Sequence, residues 1–115
     1  MDEIVIETMK DYNNYLDNLK IYILPLAENF RDGKLNKAIK EVSLLFEGIE
    51  WIMTINMKLR ELNYINKLDS TRLNNLLNEL ADAFENKDYN LCADILEYEI
   101  LTVVNELEAF KLREN

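Results

Sequence analysis

Apolar residues recur along this chain in alternating steps of four and three, the spacing of one face of an α-helix. The first series runs Val5, Met9, Tyr12, Leu16, Leu19, Ile23, Leu26 and Phe30, and predicts a helix over about Asp2 to Arg31. Tyr15 and Tyr22 lie on one flank of that stripe. Pro25 sits inside the pattern. It cannot donate an amide hydrogen bond to Ile21, which predicts a kink or a split near Leu24. Arg31-Asp32-Gly33-Lys34 then reads as a turn, with Gly33 as the left-handed helix terminator.

The second helix begins at Leu35 and extends to about Asn63 or Asn66. It carries two apolar stripes. Leu35, Ile39, Val42, Phe46, Ile49 and Met53 form one, widened by Leu45, Ile52 and Leu59. Leu44, Gly48, Trp51, Ile55 and Leu62 form another on the opposite side, at about 100° per residue. A helix wetted on one face needs a single apolar stripe. Something must cover the second one, either the first helix or the 63–70 connection of this chain, or another protein. Gly48 costs a helix interior roughly 1 kcal/mol against Ala. A close helix–helix approach beside Trp51 would offset that.

Residues 63–70 have no clear period and predict a longer connection. Asp69 or Ser70 can cap a third helix bearing Leu73, Leu76, Leu77, Leu80, Ala83 and Phe84, which should end near Asn86, a residue tolerant of the left-handed conformation. Asp88 can cap a fourth helix running to about Leu112, with Cys92, Leu96, Ile100, Val103, Leu107 and Phe110 inward. Leu91, Tyr98, Leu101 and Leu112 make a partial back stripe, and the residues after Leu112 are expected to fray. The segments Phe30 to Leu35 and Phe84 to Tyr89 resemble each other, each with a Phe three residues before the left-handed position. The expected fold is therefore all-α, an antiparallel up-down four-helix bundle of two αα-hairpins in one domain spanning residues 1–115. Two Gly and one Pro are too few for a hairpin-rich β fold.

Charge narrows the partners. The net charge is −9, and residues 34–68, with 4 acids and 6 bases, are the only net-basic region. Phosphate neutralisation needs a basic face, so nucleic acid and anionic membranes are not expected partners. No run of about 20 apolar residues is present to span a bilayer. The acidic start MDEIVIETM does not resemble a secretory signal. A single cysteine, Cys92, allows no internal disulfide and fits a cytoplasmic location.

Candidate chemistry is sparse. The chain has no His, which removes Ser-His and Cys-His nucleophilic pairs and His-containing zinc or di-iron sites. Gly33 and Gly48 are isolated, so there is no phosphate-binding loop. Glu47 with Glu50, and Asp94 with Glu97 and Glu99, are the carboxylates that oxygen-ligated metals could use. Their positions on polar helix faces favour solvation instead. Glu99 borders the core stripe, where a buried charge would need a basic partner. Cys92 on the core stripe reads as a small hydrophobe. Tyr12, Tyr15 and Tyr22 read as core-edge residues with solvated hydroxyls. No catalytic, cofactor or metal site is assigned.

Gly48-Ile49-Glu50-Trp51 and Phe30-Arg31-Asp32-Gly33-Lys34, with Ala83 to Tyr89 and Ala93 to Glu99, carry a resemblance. They resemble a group of small acidic all-helical bacterial proteins, of clostridial type, with a Gly-Leu/Ile-Glu-Trp helix. That resemblance implies a helical domain and transfers no catalytic residue. A looser likeness to flagellar export chaperones rests on fold and charge alone.

The functional expectation is a non-enzymatic protein–protein interaction module. It would self-associate, as a homodimer, through Leu44, Gly48, Trp51, Ile55 and Leu62, with Tyr98 and Leu101 as further contact residues. The alternatives are an adaptor or chaperone that docks an unidentified partner's helix, and a carboxylate-metal enzyme.

Overall fold

The computed structural model describes residues 2–112, all in helices or connecting segments, with no strand among the described residues. Helix α1 spans Glu3–Arg31, α2 Leu35–Glu61 and α3 Ser70–Glu85. A fourth rod consists of α4 (Tyr89–Asp94), a π-helical segment (Ile95–Ile100) and α5 (Leu101–Glu106). Three of the starts are capped by carboxylates that accept from free amides: Asp2 from Ile4 N, Asp69 from Arg72 N and Asp88 from Leu91 N.

The helices form an antiparallel up-down bundle. α2 and the fourth rod both pack against α1, and α3 packs against the fourth rod. The bundle is elongated, 50 × 22 × 19 Å. Tight turns lie at one end and the 62–69 connection at the other. The two tight turns are built alike. Gly33 N donates to Phe30 O and Lys34 N to Asn29 O; Lys87 N donates to Phe84 O and Asp88 N to Ala83 O. Both are Schellman-type endings with a left-handed residue, Gly33 at φ 72° and Lys87 at φ 57°. The left-handed position therefore falls on Lys87, not on Asn86 as expected from its tolerance of that conformation. Phe30, Phe84 and Tyr89 bring the turns together, with Phe30 and Tyr89 stacked at 5.9 Å.

Three further expectations need correction. Pro25 does not split the first helix, which continues to Arg31. Pro25 and Ile21 are both exposed, so the carbonyl left without its amide partner is on a wet face. The buried face of α2 holds Val42 and Ile49 of the expected stripe and the flanking Leu45, Ile52 and Leu59, as expected, but it extends further to that flank, to Ala38, Gly48 and Asn56. Ile39 is exposed, and Leu35, Phe46 and Met53 are only half-buried. The fourth helix ends at Glu106, and Leu107 (φ −69°, ψ 139°) starts an extended strap instead of a last helical turn. Asn13 holds the strap by a two-way clamp: Phe110 N donates to Asn13 Oδ1 at 2.8 Å, and Asn13 Nδ2 donates to Phe110 O at 2.9 Å. The residues expected to fray, 113–115, lie outside the described residues.

The strap returns Phe110 to the core edge-on to Tyr12, 4.8 Å between ring centroids. Tyr12 is fully buried, so its hydroxyl is not solvated as expected. It accepts from Asn56 Nδ2, which also donates to Asn66 Oδ1, and Asn66 Nδ2 donates to Glu108 O. Every buried side-chain polar atom among the described residues has a hydrogen-bond partner. Cys92, Leu96 and Ile100, at two successive steps of four, are all buried along the π-helical segment and its approach.

Lys87 is a non-glycine in a conformation that favours glycine. Lys87→Gly should raise unfolding stability by about 1 kcal/mol in chemical denaturation. Asn86→Gly, at φ −80°, should not.

Candidate functional site

The outer seam between α1 and α2 is the most unusual surface of the molecule. Gly48 is buried because Tyr15 lies on it. A Cβ built at Gly48 would fall 1.4 Å from the Tyr15 hydroxyl oxygen and 2.3 Å from Cζ. The glycine therefore leaves the space into which the phenol fits. Gly48 is not open surface, and its contribution to any contact is made through Tyr15. One turn further along α2, the Trp51 ring meets the same tyrosine at 5.8 Å, tilted by 57°. The indole is covered on one side by α1 and remains 37% exposed.

Next to this pair is a hollow of about 440 Å³, lined by Tyr15, Asn18, Leu19, Tyr22, Leu44, Glu47 and Gly48. Leu44 borders it and is 53% exposed. Tyr22 forms the far wall, and its hydroxyl donates to the Glu41 backbone oxygen at 2.7 Å, so it too is not simply solvated. Burial, and then the nearby Glu47 carboxylate, raise the Tyr15 phenol above its ordinary range. Burial, followed by Glu41 and Tyr15, pushes Tyr22 up to about 12. Both phenols are neutral at physiological pH.

The seam is long as well as apolar. Ile4 lies eleven residues before Tyr15 and Leu62 eleven residues after Trp51. Eleven residues return to the same helix edge within about 20°. Ile4 is 72% exposed and Leu62 56% exposed, and Ile55 between them is half-buried. Apolar and aromatic side chains recur along both edges, Ile4, Tyr15 and Tyr22 on α1 and Leu44, Trp51, Ile55 and Leu62 on and just past α2, with Thr8 and Asp11 between Ile4 and Tyr15, over about 27 Å. The first helix was one of the covers expected for the second stripe of α2, and it meets it through Tyr15. That Tyr15 and Tyr22 themselves complete the seam was missed, although their place on one flank of the α1 stripe was the visible signal.

Tyr98 and Leu101 are not brought to this seam. Tyr98 lies under the guanidinium of Arg31, 6.0 Å from the ring centroid. Arg31 is sixteen residues from Tyr15, about 24 Å along α1. Arg31 also pairs with Glu97 at 2.8 Å and Asp94 at 3.1 Å, tying the end of α1 to the fourth rod. Glu97 is held below its ordinary range by hydrogen bonds to Tyr98 and Arg31. Glu99 is exposed and lines a hollow with Glu79 and Asp82, so it is not a buried charge in need of a basic partner. Cys92 is buried, and burial followed by Asp88 pushes its thiol up to about 11, the setting of an inert core cysteine. No group of three or more Cys, Asp or Glu among the described residues is placed to hold a metal. No helix among them is long and apolar enough to cross a membrane.

An all-helical domain of this kind, with its aromatic seam, belongs to a family already delimited by sequence. Residues 7–110 match the domain of unknown function DUF8042, and the chain belongs to that family. Searches of curated proteins and of solved structures each found no match.

Gly48→Ala should destabilise the protein by about 1–3 kcal/mol, because the added methyl displaces Tyr15. In a Tyr15→Ala background the same change should be neutral or stabilising by up to about 1 kcal/mol, the helix propensity of Ala over Gly. A double-mutant cycle in urea measures the sign reversal. Tyr22 gives a pH prediction. A phenol raised in the folded state favours folding fully below about pH 10, its unfolded value. That contribution is lost as pH rises through about 12. The phenolate absorbance difference between wild type and Tyr22→Phe should show a midpoint near 12 and not near 10.

Proposed function

We propose that this protein is a non-enzymatic protein–protein interaction module that docks an amphipathic helix of a partner along the α1/α2 seam. The carrying observation is the Trp51 indole, seated on Tyr15 over Gly48 and left 37% exposed in line with Leu44 and Leu62. A single exposed apolar side chain is ordinary, but Trp51 stands with Leu44, Ile55 and Leu62 on one edge, and a grouped apolar patch marks an interaction surface. Tryptophan held rigid on one face and open on the other is the usual anchor of a binding hot spot. Apolar and aromatic side chains recur along the seam over about 27 Å, interrupted on α1 by Thr8 and Asp11, a length that a helix of about 18 residues would follow.

A second copy is the rival occupant of this face. It would bring another −9 of charge to the contact, and like charges oppose association. A partner of opposite charge meets no such penalty. The lone buried cysteine, which can form no disulfide within the chain, supports a cytoplasmic setting.

The test uses the single tryptophan. An amphipathic peptide of about 18 residues with leucines at helical spacing, and no Trp, should shift Trp51 emission to the blue and saturate. Leu44→Asp, an exposed change, should weaken binding about tenfold or more and leave the circular dichroism unchanged. An emission spectrum that does not respond to the peptide overturns the reading. Light scattering that shows a concentration-dependent dimer, lost in Leu44→Asp, would overturn it in favour of a second copy.

A further inference from the structure

We infer that the hollow between Tyr15 and Tyr22 is a socket for a basic side chain, Arg or Lys, projecting from the docked helix. The inference rests on the helix-docking reading and adds the chemistry of the partner. Two aromatic rings, Tyr15 and Tyr22, form its walls, with Leu19 and Leu44 beside them. Aromatic faces attract a cation most strongly where water is partly excluded. Glu47 is the charged residue of the lining, beside Asn18 and the two tyrosines, and its charge reaches the Tyr15 phenol; no basic residue lines the hollow among the described residues.

An apolar side chain entering this space would strip water from the carboxylate without replacing it, which is costly. A basic side chain lays its aliphatic stem along Leu44 and Tyr22 and brings its charge to Glu47. Acidity continues around the site. Glu41 lies against Tyr22 on α2, close enough to raise its phenol. Asp11 stands one turn before Tyr15 on an edge of α1. Because the tyrosines stay neutral far above physiological pH, the cation meets π faces and a carboxylate and not phenolates.

The test uses three peptides of about 18 residues that share one leucine stripe and differ only at the flanking positions, which carry Arg, Gln or Glu. Binding to the full chain is followed by Trp51 emission. The Arg peptide should bind about tenfold tighter than the Gln peptide, and the Glu peptide weaker than both. Glu47→Gln should cut the Arg-over-Gln preference to about threefold or less. Asp82→Asn, which removes the same charge from α3 away from the seam, should leave it unchanged. If Arg and Gln peptides bind alike, the socket is refuted while helix docking stands. If Glu47→Gln and Asp82→Asn lower the preference equally, net charge alone draws the peptide and the socket is again refuted. If no peptide binds, helix docking falls and the socket with it.

Discussion

The contact between the Tyr15 phenol and the backbone of Gly48 sets the geometry on which the rest depends. A side chain at position 48 would drive the ring away, since its Cβ would overlap the hydroxyl. With glycine there, α1 and α2 approach closely and α2 rolls its buried face toward Leu45, Ile52 and Leu59. The roll leaves Trp51 and Leu44 at the margin and opens the hollow between the tyrosines. The loss of helix propensity at Gly48, roughly 1 kcal/mol, is offset by a partly buried aromatic contact of comparable or greater size. One missing methyl group thus links packing in the interior to the character of the surface.

The bundle itself was legible in the sequence, and for physical reasons. The stripe from Val5 to Phe30 has an unbroken helical period, and the structure buries Met9, Tyr12, Leu16, Leu19, Ile23, Leu26 and Phe30 from it. Asp69 and Asp88 were readable as caps because a carboxylate one residue before a helix has few other uses. How far the buried face of α2 extends was not readable. Its residues are apolar through so much of the circumference that periodicity alone cannot say where that face ends. Asn56 lies within the buried face, where a polar residue is not expected. Its partners, Tyr12 and Asn66, come from elsewhere in the chain, and no local pattern reveals them.

Pro25 and the strap show two other ways that local rules are overruled. Proline breaks a helix when the carbonyl it orphans has no other partner, and on a wet face water can serve. The last residues read as helix because Val103, Leu107 and Phe110 keep the period. The Asn13 clamp instead recruits the backbone of Phe110, ninety-seven positions away, and Leu107 and Phe110 are buried outside the helix while Val103 stays within it. The seam was half legible. Leu44, Trp51 and Leu62 were visible as surplus apolar residues, whereas the tyrosines that complete it are on a different helix.

The π-helical segment changes how the fourth rod tolerates length. A wide turn is what a helix adopts when it holds one residue more than a regular winding needs. Removing one position between Ile95 and Ile100 would return that stretch to ordinary winding and leave the rod downstream in the same phase. Val103 and Val104, both buried, would keep facing the interior, and the asparagine clamp would keep its strap. The rod is therefore tolerant of a single-codon deletion there, whereas the same loss in a regularly wound stretch would turn everything downstream by about 100°.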